Sequence, residues 1–271
     1  MKRILLLATT AATLLSAQNS TPWTPGKNSA NISISYVYDT FRDFRAGTSN
    51  ASLPANLTQK SLFAAVEYGI TNRISADLLT GCTGTKLLAN SLDGVADTLI
   101  GARFKAYSGE NTTFTIRVAG VAAGSYPLTN LGPFAPGFKS SGFLSSGLYG
   151  VTFGKGGFAS GEIGYSVYNK PVNDRVFGNF TVGQSLGRWS YWGGYQQSRS
   201  VSGIDIGGAG FTPDRFNQTK RVYGGFDAGG GYTMPKDVYL GVTYGRFLHG
   251  RNVGEKNAVA VTVGFRIPPG N

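Results

Sequence analysis

From residue 29 to residue 267 the chain repeats one unit: about ten residues alternating between apolar and small or polar character, closed by a polar break that is by turns short and long. The last unit shows it most cleanly. Over residues 258–266, Val259, Val261, Val263 and Phe265 share one face while Ala260, Thr262, Gly264 and Arg266 share the other. One face suits lipid and the other a wet interior. The rhythm predicts an all-β fold, a transmembrane up-and-down antiparallel β-barrel of about 12 strands with short periplasmic turns and long extracellular loops.

The strands are expected at 31–39, 62–70, 74–80, 96–106, 114–122, 143–153, 159–168, 176–183, 189–198, 222–232, 238–247 and 258–266. Gly- and Asn-containing breaks at 70–73, 108–112, 154–157 and 185–188, with 234–237, are short enough for tight hairpin turns. The breaks at 40–60, 83–94, 125–141, 169–174, 199–219 and 249–255 are longer and are expected to face outward. Aromatic placement agrees. Tyr68, Phe104, Phe114, Phe153, Trp189, Tyr232 and Phe265 fall on the lipid face near the short turns, and Tyr38, Phe143, Tyr165, Tyr195 and Tyr244 near the long loops. Two such girdles mark the two membrane interfaces, which a soluble β-sandwich does not explain.

Composition narrows the class. Forty glycines, 13% aromatic and only 14% charged residues in 271 fit one large barrel better than a soluble enzyme. After the N-terminus no run reaches the ~18 apolar residues of a spanning helix, so a membrane-spanning reading requires a closed sheet. Residues 1–17 read as a signal peptide: Lys2 and Arg3, an apolar run from Ile4 to Leu15, then Ser16 and Ala17. Residues 18–28, rich in Pro, Ser and Asn, are expected to form a short periplasmic lead-in, and 29–271 the outer-membrane barrel. The lone Cys82 cannot form an internal disulfide.

Two segments carry a family resemblance. Glu67-Tyr68-Gly69-Ile70-Thr71-Asn72-Arg73-Ile74-Ser75 pairs a Tyr-Gly turn with a following strand, and Asp93 to Arg103 places a Gly-x-x-Asp, Gly94 to Asp97, at the opening of a strand that carries Gly101 and Arg103. With Gly161-Glu162-Ile163-Gly164-Tyr165 and the closing strand, these resemble the outer-membrane proteins of the MetA-pathway-of-phenol-degradation family, over most of the mature chain. What the resemblance implies is a barrel that moves small, often aromatic or hydrophobic, compounds.

The inward face holds the candidate site. Glu67, Asp77, Arg103, Arg117, Glu162 and Asp227 all fall about three to five residues above a periplasmic turn, hence at similar heights at a rise of about 3.3 Å per residue. Asp77 is expected to face Arg103, with Glu67 close by and Arg117 on the next strand. Such a belt is either a bracing network that satisfies its own charges or a constriction that filters solutes. In the C-terminal half, Gly225, Gly229, Gly231, Gly241, Thr243 and Gly245 face inward and are expected to leave space along one wall.

The formal charge of +11 falls to about +9 once Lys2 and Arg3 leave. No dense Lys/Arg cluster points to nucleic acid; Arg42, Arg45, Lys86, Lys139, Arg199, Arg215, Lys220, Arg221, Arg246 and Arg251 are spread over expected loops and strand ends, where they suit solvent, anionic lipid headgroups or anionic solutes. The only histidine, His249, lies in Phe247-Leu248-His249-Gly250-Arg251-Asn252 without a serine, so a barrel phospholipase is not expected. One His and one Cys do not make a typical metal site, and no helix follows the glycine runs 207–210 and 229–231 to build a phosphate loop; no cofactor is expected. Outer-membrane lipid and small solutes are the expected partners. Two functions remain: a narrow or gated conduit for small molecules, which the family resemblance favours, or a structural or surface-interaction barrel with a closed lumen.

Overall fold

In a computed structural model that describes residues 21–128 and 134–269, the chain closes into a single antiparallel barrel. The strands are β1 (Ala30–Ala46), β2 (Ser49–Gly69), β3 (Ile74–Leu87), β4 (Asn90–Val95), β5 (Thr98–Ser108), β6 (Thr112–Ala122), β7 (Gly142–Phe153), β8 (Gly157–Tyr168), β9 (Arg175–Leu186), β10 (Trp189–Ser200), β11 (Val222–Met234), β12 (Val238–Arg251) and β13 (Asn257–Ile267). Consecutive strands pair, save β4 with β5, and β1 closes on β13 from Ala30↔Ile267 to Thr40↔Asn257. Closure leaves no edge for lipid to meet. β4 and β5 both pair with β3 and are separated only by Ala96 and Asp97. They share one place in the wall, so the barrel is twelve-stranded with one strand broken.

The alternation read from the sequence is the alternation of the wall. Val259, Val261 and Phe265 point outward while Ala258, Ala260 and Thr262 are buried inside. Ile34, Leu62, Ile100, Ile116, Ile163, Val182 and Val242 give the outer surface its apolar band. The girdles flank it, with Phe104, Phe153 and Trp189 exposed below and Tyr38, Phe143 and Tyr244 above. A closed barrel with this belt is an outer-membrane protein.

The upper breaks differ from expectation. β1 and β2 run on as a ladder to Ala46 and Ser49, through most of the segment expected as a loop over 40–60. β3 reaches Leu87, with β4 turning back at Asn90 inside the break expected over 83–94. β12 likewise reaches Arg251. Above the membrane the outward face no longer has to be apolar, so the period-2 signal fades at Asn50, Ser52 and Thr58 while the backbone ladder continues.

The signal peptide expected over 1–17 lies outside the described residues, as do residues 18–20. Residues 21–28 do not hang below the barrel but enter its periplasmic end. The Thr115 hydroxyl donates to the Pro22 carbonyl at 2.7 Å, and Trp23 sets its ring edge-on to Phe158 at 6.2 Å. Gly150 makes the socket, since a Cβ there would lie 2.4 Å from Pro22 Cγ.

Candidate functional site

The inward charges on the first strands form one connected group. Asp77 on β3 takes both arginines: Arg103 Nε from β5 lies 3.3 Å from its Oδ1, and Arg117 Nη2 from β6 lies 2.5 Å from its Oδ2. Arg103 turns its Nη1 to Glu67 Oε2 on β2, also at 3.3 Å, and Ser75 donates to the other Glu67 oxygen at 2.9 Å. Period 2 places all four inward, and the register sets Glu67 opposite Asp77 and Arg103 opposite Arg117. Gly101, between Asp77 and Ala119 in the ladder, leaves room for the carboxylate to reach both guanidinium groups.

Glu162 on β8 is held differently. It accepts from Ser146 at 2.6 Å and from Asn179 at 3.1 Å, and feels Arg117 and Arg103 through space. Asp227 is not brought into the group. It sits on β11 beside Gly194 and Gly245, buried, and makes no hydrogen bond or ion pair among the described residues. A buried carboxyl with no protein partner either holds a proton or is hydrated from the lumen.

The wall expected to leave space is covered. Tyr239 lies across Gly231 and Gly241, Trp192 across Gly229, and Tyr223 across Gly225; a Cβ on Gly231 would stand 2.1 Å from the Tyr239 hydroxyl. The missing side chains make room for neighbouring rings rather than for a void. An aromatic lying flat over a glycine is invisible to a count of small residues.

Above this level the described parts of the loops that follow β6 and β10 pack across the mouth. Phe134 packs on Phe41 and Phe44 of β1, with ring centroids 5.6 and 5.0 Å apart, while Phe138 lies 5.6 Å from Tyr168 of β8. Residues 134–138 therefore cross the opening from one wall toward the other. Tyr126, Ala135, Leu92 and Phe216 form an apolar cluster beneath the surface, joining this crossing to the loop after β10. Asp97, in the break between β4 and β5, anchors it by accepting from the amides of Gly124 (2.8 Å) and Phe138 (3.1 Å) and from the Tyr126 hydroxyl (3.0 Å). Burial and the Asp97 charge push the Tyr126 hydroxyl well above its ordinary pKa, so it stays a donor.

Asn252 ties the outer loops together. Its Oδ1 accepts from the amides of Gly47 (2.7 Å) and Ile206 (2.9 Å), and its Nδ2 donates to Asp205 and to the Lys220 carbonyl. Arg251 binds both oxygens of Asp205, Nε at 2.6 Å from Oδ1, and holds that carboxyl below its ordinary range. Arg45 pairs with Glu255 at 2.8 Å.

Some inward charged residues escape a sequence reading. Arg221, expected as a solvated loop charge, is buried with its guanidinium 5.0 Å from the Phe138 ring centre. Arg175, one residue before the strand expected at 176, is buried and stands 3.6 Å above the same ring. Strand parity with Phe177 and with Tyr223 carries both inward, and extending each strand by one residue would have found them. Asp39 and Lys256 form a further inward ion pair at 3.5 Å. His249 accepts or donates a hydrogen bond with the Tyr195 hydroxyl at 2.8 Å on the outer surface.

No family model and no curated protein matches the chain. Solved structures do. The chain is similar to the COG4313 outer membrane channel from Pseudomonas putida F1, with a TM-score of 0.74 at 14% identity over 90% of this chain and 97% of that one. It is also similar to the NanC porin, with a TM-score of 0.54 at 9% identity over 86% and 100% of the two chains. The translocator domain of the autotransporter NalP from Neisseria meningitidis gives 0.50 at 12% identity over 89% and 88%. At these identities the likeness is one of fold: a bacterial outer-membrane barrel.

Proposed function

We propose that the protein is a narrow, gated outer-membrane channel for small molecules, closed in the present state by residues 21–28 below and by the loops after β6 and β10 above. The observation that carries this reading is Asp227. A barrel packed shut as a purely structural element has no reason to keep a carboxylate inside without a protein partner, whereas a water-filled passage hydrates it. The closures are non-strand segments that contribute no ladder to the wall and are held by polar contacts and local ring packing, so they can leave without opening it. The Asp77 group lines the passage between them and is proposed as its constriction, with Glu162 and Asp227 setting the field on the facing strands.

Likeness to an outer membrane channel and a porin supports this reading. Membership of the MetA-pathway-of-phenol-degradation family, with small hydrophobic or aromatic solutes and lipid contact at the girdles, belongs to the same proposal, as does transport in place of catalysis. The second reading, a closed structural barrel, draws on the Asp77 group, which satisfies its charges internally and braces β2, β3, β5 and β6.

Planar-bilayer recording tests the choice. The wild-type protein is expected to pass small, interrupted currents, and replacing Arg103 and Arg117 by Gln to change both conductance and ion preference. Silence from the wild type, from a variant lacking residues 21–28 and from one lacking the loop after β6 leaves only the structural barrel.

A further inference from the structure

We propose that Arg175 is the core of a binding site for a small carboxylate-bearing solute on the inner side of the extracellular cap. Arg175, Ser200 and Arg221 sit side by side at the extracellular ends of β9, β10 and β11. Arg175 is in register with Ser200, and the Ser200 amide donates to the Arg221 carbonyl at 2.8 Å while the Arg221 amide donates back to the Ser200 hydroxyl at 3.2 Å. All three are buried. This puts two guanidinium groups on one shelf facing the lumen, with the Phe138 ring against both.

Arg175 differs from Arg103 and Arg117. Arg103 and Arg117 each meet a carboxylate, whereas Arg175 forms no ion pair among the described residues and its Nε is buried without a hydrogen-bond partner. Its tightest described contact is to a ring face: the Phe138 centroid lies 3.6 Å from Cζ, the distance of stacking, while Tyr168 and Arg221 are its neighbours through space. That covers the face of the guanidinium and leaves the Nε edge to hydrogen-bond in plane. A buried guanidinium without a counter-ion is costly, and the partner its edge geometry fits is a planar oxyanion taken bidentately. The flanking rings of Phe138 and Tyr168, 5.6 Å apart, give the solute an apolar neighbour on one side. The facing groups on the adjoining strands, Ser166 and Ser200, are neutral donors or acceptors and place no competing carboxylate there.

This site names the substrate class of the channel and rests on that reading, but binding does not need conduction and is measured separately. Full-length protein in detergent is titrated calorimetrically with sodium benzoate against matched sodium chloride, with benzamide as the neutral isostere. Benzoate is expected to bind in the millimolar range, on the order of tenfold more tightly than benzamide. Arg175→Gln is expected to lose this preference, and Arg175→Lys, which keeps the charge but not the fork, to weaken benzoate by about tenfold. Equal binding of benzoate and benzamide to the wild type overturns the site, and needs no variant to fold. Equal benzoate affinity in folded, heat-modifiable Arg175→Gln overturns it too. Benzoate binding by a protein that never conducts keeps the site and removes the channel; conduction without benzoate preference does the reverse.

Discussion

The Tyr126 hydroxyl donates to Asp97 at 3.0 Å and accepts the Lys139 amide at 2.7 Å, so a single side chain joins the broken strand of the wall to both arms of the loop that crosses the mouth. Asp97 takes two further amides of the same loop, Gly124 and Phe138. The cap is held where the wall itself is interrupted, and a strand break becomes an anchor. The Gly-x-x-Asp segment, Gly94 to Asp97, supplies both halves of this: the carboxylate, and a glycine against which the Tyr126 backbone lies too close for a Cβ.

Asp97→Ala should therefore release the cap without unfolding the barrel. It leaves three donors of the loop unsatisfied, at about 1–3 kcal/mol for each that stays buried, so the loop is expected to move out to water instead. Added protease should then cut between residues 123 and 141 in intact cells, and single-channel current should rise. Tyr126→Phe removes one donor and one acceptor and should show the same changes more weakly. Unchanged current with a cut loop would mean that the loop does not limit passage.

The lower closure is expected to act independently. Gly150→Val puts a branched side chain where Pro22 and Trp23 lie, and should displace residues 21–28 while the strands stay paired. Trp23 would leave Phe158 for water. Its fluorescence should shift to the red and become open to an aqueous quencher. Gly150→Ser already brings in the Cβ that meets Pro22 and Trp23, and should show the same shift to a smaller extent.

Much of the barrel was legible because lipid imposes it. Wherever the outer face meets hydrocarbon, alternation must hold, and Val259, Val261 and Phe265 announce their strand by chemistry alone. Where that demand ends, legibility ends too: Asn50 and Ser52 are strand residues in water with nothing apolar to show for it. Inside the lumen, period 2 and distance from a turn were enough to group Glu67, Asp77, Arg103 and Arg117, because neighbouring strands fix which side chains meet. They were not enough for Asp227, which lies across the barrel from any arginine in the group, or for Tyr239, whose ring travels over two glycines to a place its own position does not reveal. Residues 21–28 and the cap were illegible for a related reason. They depend on contacts between segments far apart in sequence, such as Pro22 with Thr115 and Phe134 with Phe41.

Two inward carboxylates should respond to neutralisation in opposite directions. Asp77→Asn leaves Arg103 and Arg117 facing each other across the ladder without the charge between them, and should destabilise the barrel by about 3–5 kcal/mol. Asp227→Asn removes a charge that no protein group compensates, and should leave stability unchanged or raise it by on the order of 1 kcal/mol. Urea unfolding in detergent, followed by loss of heat-modifiable mobility, reads both. A destabilised Asp227→Asn would mean that its carboxylate has a partner on which the fold relies, and would remove the support it lends to a wet lumen.

The outer loops should loosen in acid. Arg251 holds the Asp205 carboxyl below its ordinary value of 3.8, with Asn252 adding a second hydrogen bond. A carboxyl whose pKa is lower when the loops are docked than when they are free favours docking at any pH above its free value, and that contribution disappears as pH falls through the docked value. The pair is about a third exposed and lies in the outer loops, so solvent screens it and the effect is a modest shift in loop population and no threat to the barrel. Between neutral pH and about pH 5 loop protection should stay constant, and below about pH 4 it should decline. Asp205→Asn should lose the acid response and behave at neutral pH as the wild type does in acid. Hydrogen exchange at the Gly47 and Ile206 amides, which both bond to Asn252, reports the change directly. Exchange that accelerates in acid equally in wild type and Asp205→Asn, after correction for intrinsic rates, would assign the response to another group.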